Sequence, residues 1–429
     1  MSLIRKSMTR PHLISFLLLS VWLCSKGYTQ SENEIDWYEE IDLVETELVK
    51  RHPDLFFNTD SASFYRAMDR VVDGSKGKSL FEVSVMLQQV VAGLGDAQTL
   101  VNYHYLIDNQ EILPLECYWF EDGLYIIRAR EEYGALLGKR IAGINQYPLA
   151  QVVDSLTTLI SGHTPSMVKN AIPRMITWTQ LLTCFGFSKP GLVTLLLESP
   201  DGEKQSFPIV LPSRESNMTP VNRDKLPLAW EEQKEFFREC YMPDEEVSYI
   251  QYNKCWSREA EQAYGSGAGA LFMPSFREFE KEVMHTIRSK KVKKLVLDMR
   301  FNGGGNPLQG TRFIKKLART NIGDHAAVFL IVGRGTFSSA LINAVEFMET
   351  FQAVVVGEDS GGKPNHYGEI ERFVLPRTNL VISCSTRFFS LVAGDPPAIH
   401  PDISAPLSFT DFMNGVDPAL EAVLQHQGN

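Results

Sequence analysis

Residues 294–317 read KLVLDMRFNGGGNPLQGTRFIKKL and contain the pattern that decides the fold. The apolar run Lys294–Met299 predicts a buried strand, and three glycines follow it. Apolar residues at helical spacing then predict a helix near Leu308–Leu317. This strand, glycine turn and helix form one unit of an α/β sheet.

The same alternation of strands and helices surrounds this unit. It predicts the strands Tyr249–Tyr252, Ala327–Val332 and Ala353–Val356 and the helices Phe276–Ser289 and Ser339–Phe351. Alternation of this kind indicates a parallel sheet with functional sites at the carboxyl ends of its strands.

The first half of the chain has a different pattern. Three segments with helical spacing come first, and from Leu113 short strands bounded by turns predict a compact β module with a helical insert. Residues 212–245 are rich in proline and charge and predict a linker with a short helix. The predicted helices are Ile35–Leu48, Ser61–Val72, Leu80–Leu94, Pro148–Leu159 and the insert Ser166–Phe185, and the strands of the module include Cys117–Phe120, Gly123–Ile127, Lys139–Ile144, Leu192–Leu197 and Ser206–Leu211.

Composition excludes several classes of protein. The 429 residues are 44% hydrophobic and 22% charged, as expected for a globular chain with a large core. The 52 acidic residues exceed the 42 basic ones, and the net charge of −10 disfavours nucleic-acid binding. The nine histidines are scattered, so no metal site is predicted.

The N-terminus predicts export. Basic residues precede the apolar run Leu13–Cys24, which is shorter than the roughly 20 residues that a membrane span needs. We interpret residues 1–29 as a signal peptide, with a lipid anchor at Cys24 as the alternative. The five other cysteines are an odd number, so at least one is free or pairs with another chain.

Three polar segments follow predicted strands: residues 298–305 (DMRFNGGG), 336–340 (TFSSA) and 357–364 (GEDSGGKP). The last fits the pattern of a phosphate-binding loop, but Pro364 stands where Ser or Thr would hold magnesium, and strand sequence follows instead of a helix. Nucleotide binding is therefore not expected.

Each segment has a structural and a functional interpretation. The glycines provide a tight turn, and their amides could also stabilise an oxyanion. Asp298 and Arg300 suit a structural ion pair. A serine at the position of Ser338 is usually a helix N-cap, and Lys363 could be a solvated surface residue. Together they could be a nucleophile and a base, if burial lowers the pKa of the lysine.

In combination, these segments resemble the C-terminal-processing (tail-specific) serine peptidase family. The family has an Asp-Leu-Arg-x-Asn-x-Gly-Gly turn, a Thr-x-Ser-Ala segment with the nucleophile, and a Gly-Glu-x-x-x-Gly-Lys segment with the base about 25 residues later. Ser338 and Lys363 are 25 residues apart. The motif at 95–99 (GDAQT), residues 113–211 and the HPDI at 400–403 also resemble the family's secreted members.

The resemblance implies an α/β fold: a ClpP/crotonase-like catalytic core with a PDZ-like β module and an N-terminal helical domain. The implied domains are a helical domain at 30–107, a PDZ-like domain with a helical insert at 108–213 and a catalytic domain at 214–429, after the signal peptide.

The resemblance also implies a function. Ser338 would be the nucleophile and Lys363 the base, and a polypeptide would be the substrate, with no metal, cofactor, nucleotide or nucleic acid. The residues that would form the oxyanion hole or support the site are Gly304, Gly305, Ser339 and Tyr367.

The chain departs from the family at three positions near this site. Leu341 stands where many members have Glu, Gln98 where a His is common, and Tyr367 where processing peptidases often have Gln. Tyr367 or His366 would then have to support the lysine. The departures leave a second hypothesis open, a peptide- or lipid-binding protein of the same fold without useful catalysis, and a third, an esterase using the same residues.

Overall fold

The computed structural model describes residues 35–162, 164–199, 202–211 and 217–427. The predicted signal peptide and Cys24 lie outside the described residues. From Trp37 onward the chain forms one compact unit, and the domain boundaries given above stay predictions. No helix in the described part of the chain is both long and apolar enough to cross a membrane.

The helices in these residues are α1 (Trp37–Arg51), α2 (Ser61–Gly74), α3 (Leu80–Ala92), α4 (Leu149–Thr157), α5 (Pro165–Met175), α6 (Thr179–Cys184), α7 (Leu228–Glu231), α8 (Arg258–Tyr264), α9 (Phe276–Ser289), α10 (Pro307–Ala318), α11 (Ser339–Phe351), α12 (Phe409–Asn414) and α13 (Pro418–Gln425).

The strands are β1 (Leu100–Val101), β2 (Leu115–Phe120), β3 (Gly123–Arg130), β4 (Arg140–Ile144), β5 (Tyr147–Pro148), β6 (Leu192–Glu198), β7 (Lys204–Val210), β8 (Met218–Pro220), β9 (Phe237–Met242), β10 (Val247–Tyr252), β11 (Lys294–Asp298), β12 (Ala327–Val332), β13 (Val354–Gly357), β14 (His366–Val374), β15 (Val381–Phe389) and β16 (Ile403–Ser404).

A six-stranded sheet with the order β16-β13-β12-β11-β10-β9 forms the centre of the C-terminal half. All neighbours are parallel except β9, which is antiparallel to β10. The predicted parallel sheet is therefore present, and the loops that follow β11, β12 and β13 lie at the same edge.

Both faces of this sheet are covered, which explains its continuous apolar strands. Along β12, Leu330 and Val332 belong to the core on the side of α9, α10 and α11. Phe329 and Ile331 belong to the core on the other side, which includes Leu420 of α13. Successive side chains of a strand point to opposite faces, so one strand contributes to both cores.

The other two sheets contain the remaining strands. The seven-stranded sheet has the order β2-β3-β4-β6-β7, with β5 paired to β4 and β8 to β3. The three-stranded sheet has the order β1-β15-β14, with β1 antiparallel to β15. Since β1 directly follows the GDAQT motif, this pairing attaches the N-terminal helical region to the hairpin that follows Lys363.

Residues 212–245 differ from their prediction. A linker with one short helix was expected, but residues 237–242 form β9, the antiparallel edge strand of the central sheet. The helical insert is also split into α5 and α6, and α8 was not predicted. Pairing with the buried strand β10 outweighs the weak local preference of β9.

The five cysteines in the described residues are all unpaired. Cys117, Cys255 and Cys384 are buried. Burial raises the pKa of Cys255 to about 12, so its thiol stays protonated at neutral pH.

The predicted ion pair of Arg300 is present and extends to α13. Its Nη2 lies 2.7 Å from Asp298 Oδ2, and its Nη1 lies 2.8 Å from Asp417 Oδ1. The Tyr249 hydroxyl also donates to Asp298 Oδ2 at 2.6 Å. Both carboxylates are almost fully buried, so this arginine joins the end of β11 to the start of α13.

We expect Arg300→Met to lower the free energy of unfolding by about 3–5 kcal/mol, because it leaves two buried carboxylates without a counter-charge. Urea denaturation measures this change. Arg387→Met is the matched control, since Arg387 forms an exposed ion pair with Glu369 and should cost at most about 1 kcal/mol. Equal losses in the two variants would contradict the structural role of Arg300.

Candidate active site

Ser338 lies between β12 and α11 in a strained backbone conformation, with φ 56° and ψ −126°. For a residue other than glycine such a conformation costs about 1–3 kcal/mol and persists only where the surroundings impose it. Here Phe337 N–H donates to the Asn302 carbonyl at 3.0 Å, and Thr336 Oγ1 donates to the Met299 carbonyl at 2.9 Å. The loops after β11 and β12 thus hold the turn together.

Helix capping does not explain why a serine stands at position 338. Ser338 occupies the N-cap position of α11, but its side chain makes no capping hydrogen bond. Ser79, the N-cap of α3, by contrast accepts a hydrogen bond from Glu82 N–H within a complete capping box. The hydroxyl of Ser338 is therefore free for another role.

The glycine turn lies directly against Ser338. A Cβ on Gly304 would lie 2.9 Å from Ser338 Cβ, and one on Gly305 would lie 2.5 Å from the Cys255 carbonyl oxygen. Both glycines also have positive φ, 101° and 136°. Conformation and space together require glycine at both positions.

The three predicted oxyanion donors are not equivalent. Gly304 N–H donates to Asn302 Oδ1 at 3.0 Å and is already engaged. The N–H groups of Gly305 and Ser339 have no acceptor among the described residues. Ser339 Oγ donates to the Gly305 carbonyl at 2.7 Å and joins the two loops. Two unpaired amides thus remain near Ser338.

Lys363 makes no hydrogen bond to Ser338 and pairs instead with Asp395. Lys363 Nζ lies 2.9 Å from Asp395 Oδ2, and the two side chains are 44% and 65% exposed. In this arrangement the amine donates to a carboxylate and is open to solvent, so it is not directed at the Ser338 hydroxyl.

The backbone before Lys363 nevertheless packs on the serine turn. Gly361 N–H donates to the Thr336 carbonyl at 2.9 Å. A Cβ on Gly362 would lie 2.8 Å from the Phe337 ring and 3.3 Å from Leu341. Leu341 is fully buried and offers no polar partner to the lysine.

The polar partner of Ser338 is Gln98, from the segment between α3 and β1. Ser338 Oγ lies 3.3 Å from Gln98 Oε1, and Gln98 Nε2 donates to the Tyr367 carbonyl at 3.0 Å. The sequence marked Gln98 only as a departure from a family motif. That motif was the signal that drew attention to this position. It could not predict the contact with Ser338, which is 240 residues away.

Neither Tyr367 nor His366 hydrogen-bonds the amine of Lys363, whose partner is Asp395. Tyr367 enters the site through its carbonyl, while its ring packs at 4.6 Å from that of His52, and burial raises its pKa. His366 Nδ1 lies 2.9 Å from the Pro364 carbonyl oxygen, and burial lowers its pKa.

A buried network holds the Gln98 segment. Asp96 accepts hydrogen bonds from Gln98 N–H at 3.0 Å and Thr99 Oγ1 at 2.5 Å, and His52 Nε2 lies 3.3 Å from its Oδ2. Burial opposes ionisation of Asp96, but the neighbouring polar groups of His52, Ser385 and Thr99 outweigh it and hold the pKa below its usual value. Asp96 is therefore a charged anchor for Gln98.

In the described residues no group of three or more His, Cys, Asp or Glu side chains is placed to hold a metal ion.

The chain was compared with known proteins and solved structures. No family model matches it, and no curated protein matches it. The structure of mature CPAF complexed with lactacystin is similar at a TM-score of 0.62 and 12% identity, over 91% of this chain and 97% of that chain. A second crystal structure of mature CPAF is similar at a TM-score of 0.59 and 12% identity, over 91% of this chain and 96% of that chain. The photosystem II D1 C-terminal processing protease has a TM-score of only 0.41 and 13% identity, over 89% of this chain and 97% of that chain.

The similarity to CPAF spans almost the whole of both chains. It confirms the predicted fold: an α/β, ClpP/crotonase-like core with a PDZ-like β module and an N-terminal helical region. At 12% identity it establishes the fold alone.

In the Gln98→Met background, where the hydrogen bond of Ser338 to Gln98 is already absent, we expect Ser338→Ala to change the free energy of unfolding by no more than about 0.5 kcal/mol, because Ser338 makes no capping bond. The matched variant Ser79→Ala removes a working cap and should cost about 1 kcal/mol. Urea denaturation of both variants measures the difference. An equal loss in the two would mean that Ser338 is a structural cap.

We expect Asp96→Asn to lower the free energy of unfolding at pH 7 by about 1–3 kcal/mol, because asparagine cannot accept all the hydrogen bonds made to Asp96. The folded-state pKa of Asp96 is depressed, so its contribution is present above its unfolded pKa of about 3.9 and is lost as the pH falls below it. The difference from wild type should therefore shrink below about pH 4.

Urea denaturation between pH 3 and pH 7 tests this dependence. Asp154→Asn, on the exposed side of α4, is the control and should change the free energy by less than about 0.5 kcal/mol at every pH. A difference for Asp96→Asn that stays constant with pH would mean that the charge of Asp96 is not what stabilises the network.

Proposed function

We propose that the chain is an exported serine peptidase of the tail-specific family, with Ser338 as its nucleophile. The strained, non-capping Ser338 beside a glycine turn is the observation that carries this proposal. A serine with only a structural role would not need a conformation that costs free energy. The CPAF-like fold and the family motifs agree with this assignment.

In the proposed reaction, Ser338 Oγ attacks the carbonyl carbon of a peptide bond. The hydroxyl proton passes to uncharged Lys363 and from there to the leaving amine, and water then hydrolyses the acyl-enzyme. The free amides of Gly305 and Ser339 would stabilise the oxyanion, where losing one donor raises the barrier by about 3 kcal/mol. Gly304 would contribute by shaping the turn.

This reaction requires Lys363 to leave Asp395. Because the backbone of Gly361 and Gly362 packs on the serine turn, rotation of the lysine side chain is the movement that we invoke. An exposed ion pair holds the side chain only weakly, by about 1 kcal/mol or less. Bound substrate would exclude water and favour the uncharged amine.

The remaining parts of the proposal rest on the sequence. The signal peptide at 1–29 implies export, and a lipid at Cys24 would anchor the protein to a membrane. The PDZ-like module would bind an extended polypeptide by strand addition. We propose the domain boundaries given above as the limits of these parts.

A second candidate function is peptide or lipid binding without catalysis. The ion pair of Lys363 with Asp395 and the contact of Ser338 with Gln98 favour it, since neither places a base on the hydroxyl. This protein would keep the fold and the PDZ-like module but would not hydrolyse its ligand.

Labelling by a fluorophosphonate and hydrolysis of an unfolded protein distinguish these functions. We expect Ser338→Ala to abolish both and Lys363→Ala to lower hydrolysis by about 10²–10⁴-fold. Lys291→Ala is the control, because Lys291 is another exposed lysine in an ion pair, 2.7 Å from Glu246, and should leave hydrolysis unchanged. Binding of a peptide by a wild-type protein that neither reacts with the probe nor hydrolyses would establish the second candidate.

The hydrolysis assay of Lys363→Ala tests the role of the lysine separately from that of the serine. If Ser338→Ala abolishes hydrolysis and Lys363→Ala does not lower it, the peptidase assignment stands and the dyad is wrong. Asp395→Asn removes the ion pair and should raise hydrolysis roughly two- to five-fold if that pair restrains the base.

A further inference from the structure

The contact between Gln98 and Ser338 has a fixed direction. Gln98 Nε2 donates to the Tyr367 carbonyl, which places Oε1 toward Ser338. An amide oxygen can only accept, so the Ser338 hydroxyl must be the donor. The proton that a base would have to remove therefore points at Gln98.

The amide of Gln98 is held in place. The residue is 4% exposed, and its N–H donates to the buried Asp96. A Cβ on Gly368 would lie 3.1 Å from Gln98 Nε2, so the glycine in β14 leaves just enough space for the amide. Gln98 is thus fixed through Asp96 on one side and β14 on the other.

This hydrogen bond stabilises the resting serine more than the reacting one. When the proton leaves, Oε1 faces an oxygen with growing negative charge and no proton between them. An interaction that is stronger in the ground state than in the transition state slows the reaction. Attack therefore requires the hydroxyl to rotate away from Gln98 first.

We propose that Gln98 is a positioning residue that directs the Ser338 hydroxyl away from the base and so restrains the nucleophile. This inference rests on the proposed function, in which Ser338 attacks the substrate. The helical region before β1 thereby controls a serine in the turn between β12 and α11. Gln98 itself exchanges no proton with the substrate.

The test is the second-order rate constant of fluorophosphonate labelling in Gln98→Met, which keeps the volume of the side chain and removes its oxygen. Removing one hydrogen bond from the resting state should raise the rate about two- to ten-fold. With a peptide substrate, kcat should rise while KM stays unchanged. Simple loss of structure would lower the rate, whereas release of the Ser338 hydroxyl would raise it.

Gln88→Met is the matched control. Gln88 is also a buried glutamine of the helical region, and it donates to the Leu159 carbonyl at 2.8 Å and accepts from Val101 N–H at 2.7 Å. We expect this variant to lose stability without faster labelling. An equal gain in both variants would assign the effect to loosening of the helical region and would overturn the inference.

Gly368→Ala provides a second test with the amide intact, should Gln98→Met fail to fold. The added methyl group should displace Gln98 Nε2 and give a smaller increase in the same direction. If the wild type is labelled and both variants are labelled no faster, the role of Gln98 is wrong and the proposed function stands. If the wild type and all variants stay unlabelled, the proposed function fails, and the role of Gln98 fails with it.

Discussion

Asn302 is the residue on which the geometry of the candidate site depends. Its carbonyl accepts from Phe337 N–H, its Oδ1 accepts from Gly304 N–H, and its Nδ2 donates to the Tyr252 carbonyl at 2.8 Å. One buried side chain and its backbone therefore fix the serine turn, the glycine turn and the end of β10. Because the Asn302 side chain is fully buried, leaving its amide unpaired would cost free energy, and its bonds hold the three segments together.

The site combines this rigid part with two side chains that come from other elements. The glycine turn and Ser338 are held by backbone hydrogen bonds at the edge of a parallel sheet. Lys363 extends into solvent, and Gln98 comes from the helical region. Strain is thus kept at the serine, while the groups that would control its proton lie on separate elements.

Much of this fold could be predicted from the sequence. The bounds of α9, α11 and β12 match their predictions, because each has a strong periodic pattern that its burial also requires. The parallel sheet and the grouping of the three polar segments follow from the same patterns. The strand β9 could not be predicted in the same way, since its pairing with β10 is a tertiary interaction.

The side-chain partners in the site were beyond sequence reasoning for a different reason. The sequence supplied Ser338, Lys363 and the glycines, but the partner of each depends on rotamers and on distant segments. Asp395 lies 32 residues after Lys363, and Gln98 lies 240 residues before Ser338. No local pattern relates such positions, and an exposed lysine has many conformations of similar free energy.

The attachment of β1 to β15 has a consequence for biosynthesis. Residues 96–101 leave the ribosome long before the serine turn does, and N-terminal segments generally fold first. The short strand β1, however, finds its partner only when β15 has been made. The serine turn is therefore synthesised before β15, and the newly made polypeptide passes through a stage in which the hairpin does not yet hold Gln98 against Ser338.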